Sequence, residues 1–86
     1  MKGFPMQRDK VRKSLRYLGL KFDKSKLPDG KGVQYHIKSD IFKGIVVTCY
    51  NTGTVIVQGK DEAAKNIIGI FLKLRSDKLQ MEAYSS

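Results

Sequence analysis

The chain has 86 residues, with 17 Lys and Arg against 8 Asp and Glu, for a net charge of +9. A chain this short makes one domain with a thin core, which leaves little volume for a deep enclosed active site. Its lone cysteine, Cys49, excludes an internal disulfide, no apolar run approaches the about 20 residues of a membrane span, and no secretory h-region opens the chain, so a reducing, cytoplasmic setting without membrane contact is expected.

The positive charge is uneven. Residues 1–26 carry nine basic and two acidic groups, +7, and the other sixty carry eight and six, +2. One strongly cationic region of this kind suits a phosphate backbone, so RNA, an RNA/DNA hybrid or duplex DNA is the expected partner.

Along the chain, Pro5 to Leu18 reads as a helix. Proline is tolerated in a first turn, Val11, Leu15 and Leu18 make one apolar stripe, and Gly19 supplies a left-handed stop. Arg8, Arg12, Lys13 and Arg16 fall mainly off that stripe. Lys21 to Gly32 reads as a loop around the turn Pro28-Asp29-Gly30, decorated by Lys21, Lys24, Lys26 and Lys31. Three strands follow, at Val33–Lys38, Lys43–Tyr50 and Thr54–Gln58, the last two joined by Asn51-Thr52-Gly53 as a three-residue hairpin loop. Asp61 caps a second helix, whose core stripe takes Ala63, Ala64, Ile67, Ile68, Ile70, Phe71 and Leu74. Residues 1–4 and 80–86 are expected to fray.

The expected fold is therefore α+β, in the order α-β-β-β-α. A three-stranded antiparallel sheet carries both helices on one face, because that arrangement buries two amphipathic helices at once. The hairpin sets the register: Cys49 opposite Val55 and Val47 opposite Val57 put an apolar face toward the helices. The other face then presents Gln34, His36, Lys38, Val46, Thr48, Tyr50, Thr54, Ile56 and Gln58. Amides, hydroxyls, an aromatic ring and aliphatic groups on one uncovered sheet suit nucleic acid. Val46 and Ile56 suit a homodimer through the same face equally well.

No metal or other cofactor is expected, since one histidine and one cysteine do not make a ligand set. Asp29, Asp40, Asp61 and Glu62 are explained by turns and a cap, and Cys49 by burial. His36 is the one candidate catalyst. An imidazole can serve as general base toward a ribose 2′-OH, although an exposed strand residue or a passive RNA contact explains it as well.

The stretch GIVVTCYNTGTVIVQGKDEAA, Gly44 to Ala64, resembles the N-terminal substrate-binding domain of bacterial ribonuclease HIII. The matching positions are Val46, Thr48, Tyr50, Asn51, Gly53, Val55, Val57, Gln58, Gly59 and Lys60. The resemblance implies a TATA-binding-protein-like fold that grips RNA/DNA hybrids through Thr48, Tyr50, Thr54, Ile56 and Gln58 without cleaving them, with no catalytic domain in this chain. Lys60 belongs to the same pattern, and the cations of residues 1–26 with Lys31 would add phosphate contacts. A second resemblance, covering Leu15 to Gly19 and His36 within QYHIK, is to HicA-type mRNA-cleaving toxins. It departs from them in lacking the Gly-Ser-His triplet, since His36 follows Tyr35.

Three readings stay open from the sequence: a non-catalytic nucleic-acid binder, a ribonuclease toxin using His36, and a module that binds an acidic protein.

Overall fold

The computed structural model describes residues 3–85, with the side chains of Asp40 and of 77–85 left aside. Of the termini expected to fray, residues 1–2 and Ser86 lie outside the described residues. The elements are β1 (Phe4–Pro5), α1 (Arg8–Tyr17), β2 (Phe22–Lys26), β3 (Gly32–Ile37), a 3-10 turn (Asp40–Phe42), β4 (Val46–Tyr50), β5 (Thr54–Gln58) and α2 (Glu62–Ser85). The strands form one antiparallel sheet in the order β1-β5-β4-β3-β2.

Five strands correct the three expected, and with that the three-stranded α-β-β-β-α fold. Segment 21–32 is half strand and half turn. Lys24 pairs with Tyr35 and Lys26 with Val33 along β3. Pro28-Asp29-Gly30 then closes a hairpin, with the Gly30 amide donating to the Leu27 carbonyl at 3.0 Å. Only Phe22 is apolar in β2, so no alternation marks it; charged edge strands are the usual defence against edge-to-edge pairing. β1 is two residues long and contains Pro5, a residue tolerated on an edge. Pro5 therefore sits in the sheet, and α1 begins three residues later than expected, at Arg8.

The end of α1 follows the glycine rule closely. Gly19 has φ 75°, its amide donates to the Arg16 carbonyl at 2.9 Å, and the Leu20 amide donates to the Leu15 carbonyl at 3.2 Å. That is a Schellman closure, with Leu20 and Leu15 both in the core. The hairpin register matches the expected one: Cys49 opposes Val55 and Val47 opposes Val57. Asp61 caps α2, accepting from the Ala64 amide at 3.1 Å.

Val33, Tyr35, Ile37, Ile45, Val47, Cys49, Val55 and Val57 point to the helix side and join Val11 and Leu15 of α1 with Ala64, Ile68 and Leu72 of α2 in one buried cluster. Each large aliphatic side chain there contributes about 1.5–3 kcal/mol by leaving water. The second helix corrects the expectation of one wide core stripe. Ala63, Ile67, Ile70 and Leu74 are exposed, because a helix lying on a sheet can cover only the inner part of its circumference.

Candidate nucleic-acid interface

Cross-strand partners share a face, so the β2 register sorts its side chains. Phe22, Lys24 and Lys26 lie opposite the inward residues Ile37, Tyr35 and Val33, whereas Asp23 and Ser25 lie opposite His36 and Gln34. Lys24 and Lys26 therefore lie on the helix side of the sheet, opposite the face that carries the expected sheet contacts.

On the helix side, Arg8, Asp9 and Arg12 of α1 meet Lys24 of β2 around an open cleft of ≈ 280 Å³ that Tyr35 also lines. This is below the about 300–1,000 Å³ of enclosed ligand pockets, and suits a phosphate on a chain better than a sequestered small molecule. Asn51 fixes one wall. It accepts from the Arg8 guanidinium at 3.0 Å and donates to the Gly30 carbonyl at 2.8 Å, tying α1 to the turn between β2 and β3. Asp9 takes Arg12 at 2.6 Å and Lys13 at 3.3 Å. Lys13, then Arg12, hold its carboxyl below the usual carboxylate range. Burial pushes the Tyr35 phenol above its ordinary value. Lys24, Lys26 and Arg16 make no ion pair among the described residues, whereas Lys31 pairs with Asp29 at 3.6 Å.

The opposite face carries Gln34, His36, Lys38, Val46, Thr48, Tyr50, Thr54, Ile56 and Gln58, as the register requires. Thr48 is only 2 % exposed, and its hydroxyl accepts from the Gln34 amide at 3.4 Å, so it is shielded rather than presented. Lys38 lies 3.5 Å from Asp23. His36 Nε2 is 2.9 Å from Ser25 Oγ. His36, Lys38 and Lys43 line one shallow hollow at the end of β3 and β4. Lys60 is exposed and lines a neighbouring hollow with Lys43 and Asp61.

Sequence reasoning missed Asp9, Ser25, Tyr35 and Lys43 as members of these sites. Asp9 was legible from its spacing to Arg12 and Lys13 along a helix. Ser25 and the position of Lys24 required β2 to be recognised as a strand, and no sequence signal marks Lys43. Among the described residues, no three His, Cys, Asp or Glu side chains cluster as metal ligands, and no helix is long and apolar enough to cross a membrane. Cys49 is buried, and desolvation raises its thiol to about 11.

Comparison with known protein families gives a match. The sequence model of the family described as RNase LS, bacterial toxin, covers residues 9–84. No curated protein and no solved structure matches the chain. The match corrects the resemblance to ribonuclease HIII: the alternation and Asn-x-Gly turn at 46–57 recur in hairpins with one buried face, and here they lie inside a five-stranded sheet. It agrees in class with the ribonuclease-toxin reading, through a family other than the HicA type. Spanning nearly the whole chain from the first turn of α1 to the end of α2, the match makes this protein a member of the RNase LS bacterial toxin family.

Proposed function

We propose that the chain engages RNA for an RNase toxin and grips its phosphates in the cleft between α1 and β2. The observation that carries this reading is the convergence of Arg8, Arg12 and Lys24, from elements separated in sequence, around one open cleft. Asp9 offsets only part of that charge. Lys26 extends the cationic edge along β2 on the same side. Contacts of this kind neutralise phosphates, release counterions and carry little base specificity.

The test is a titration of a single-stranded RNA at two salt concentrations. Affinity is expected to fall steeply with salt. Lys24→Gln and Arg12→Gln are each expected to weaken binding to every sequence and to reduce the salt slope by about one. Binding that is absent at low salt, or unchanged in both variants, contradicts the reading.

A second reading is favoured by the hollow that His36 shares with Lys38 and Lys43, and by the family's ribonuclease character. His36 would take the proton of a ribose 2′-OH, whose oxygen attacks the adjacent phosphorus. The 5′-oxygen would leave with a proton from solvent or a lysine, and a 2′,3′-cyclic phosphate would remain. Lysine beside the phosphate would stabilise its developing charge. Purified chain should then cleave RNA but not its 2′-deoxy analogue, and His36→Ala should abolish cleavage. Cleavage that survives the substitution removes His36 from the chemistry.

A further inference from the structure

Helix α2 has more apolar surface than the sheet covers. Ala64, Ile68 and Leu72 are buried in the core, while Ala63, Ile67, Ile70 and Leu74 recur at 4-3-4 spacing on the outer side. Ile67 is 49 % exposed, Ile70 61 % and Leu74 63 %. A solitary exposed Leu is ordinary, but an apolar row at the spacing of a helix-pairing seam is the pattern of a contact surface. The row is widened toward α1, where Tyr17, 70 % exposed, stacks on Phe71 with ring centroids 6.3 Å apart.

We propose that the row pairs with the same row of a second copy, the two α2 helices running antiparallel about a two-fold axis midway between Ile67 and Ile70. Side-chain size argues for this occupant and direction. The row is small at one end, Ala63, and large at the other, Leu74. An antiparallel pair sets the Leu74 of each copy over the Ala63 of the other, whereas a parallel pair sets Ala against Ala and leaves a void. Charge argues the same way. Glu62 and Lys73 flank the same side of the row at opposite ends. Lys73 is exposed, with its ammonium 5.5 Å from the Phe4 ring centroid. Antiparallel pairing brings Lys73 near the Glu62 of the partner, and Glu62 has acceptor capacity beyond its 2.8 Å bond to Lys65. A closed two-fold contact made from one patch used twice is the commonest form of self-association. Few side chains take part, fewer than in interfaces that bury about 800 Å² per partner, so the dimer dissociates on dilution.

Sedimentation equilibrium of the full chain from about 10 μM to about 500 μM tests this. A dimer fraction that rises with concentration is expected. Ile70→Glu, at an exposed position, should give monomer throughout with an unchanged circular dichroism spectrum. Lys73→Glu should weaken pairing about tenfold or more, and the double variant Glu62→Lys/Lys73→Glu should restore it. Monomer at every concentration, a dimer indifferent to Ile70→Glu, or a double variant no stronger than Lys73→Glu overturns the proposal.

Discussion

Cys49 illustrates how a single side chain reads out its surroundings. It sits on β4 opposite Val55, and desolvation raises its thiol from 9.0 to about 11. The native thiol should therefore resist alkylation at mildly alkaline pH and react once the chain unfolds. The linkage has a definite sign. Above about pH 9 the unfolded chain loses this proton while the folded chain keeps it, so stability falls as pH rises until about 11. Urea unfolding across that window should show a steeper loss for the natural chain than for Cys49→Val, and equal slopes would contradict the burial. Its inward direction was legible from the alternation around the Asn51–Gly53 turn. Gly32 was not legible as a constrained position. A Cβ there would run into the Cys49 carbonyl, a crowding that appears only once β3 and β4 are paired.

At the scale of elements, the sequence was informative wherever local chemistry decides the outcome. Gly19 ends α1, Asp61 begins α2, and the hairpin turn sets the β4–β5 register, because each is fixed by a few neighbouring residues. It was uninformative where tertiary packing decides. β2 contains one apolar residue and owes its existence to pairing with β3. The two sides of α2 are both apolar, and nothing local says which of them meets the sheet. Inside that helix, nothing beyond its adjoining residues and the local helix backbone stands within 4 Å of where a Cβ on Gly69 would be. Gly69→Ala should therefore stabilise the protein by about 0.5–1 kcal/mol, by removing backbone freedom from the unfolded chain. Denaturant unfolding checks this, and a loss of stability would show that the position is crowded after all.

For the molecule as a whole, the decisive fact is which side carries the charge. The uneven charge along the chain and the hairpin register together led to the expectation that cations and the open sheet face would meet one polyanion. The β2 register separates them: Lys24 turns toward α1, where Arg8 and Arg12 wait, and the open face keeps His36, amides and aliphatic groups with Lys38 already beside Asp23. The cleft could not be read from the sequence, because it depends on Lys24 lying on a strand rather than in a loop. The proposal that this cleft takes RNA draws its support from membership of an RNase toxin family. Backbone amide shifts followed during titration with a short single-stranded RNA test this most directly. The account predicts perturbations concentrated in α1 and β2 around Arg8, Arg12 and Lys24; shifts confined to the open-face residues of β3, β4 and β5, such as Gln34, Ile56 and Gln58, would contradict it.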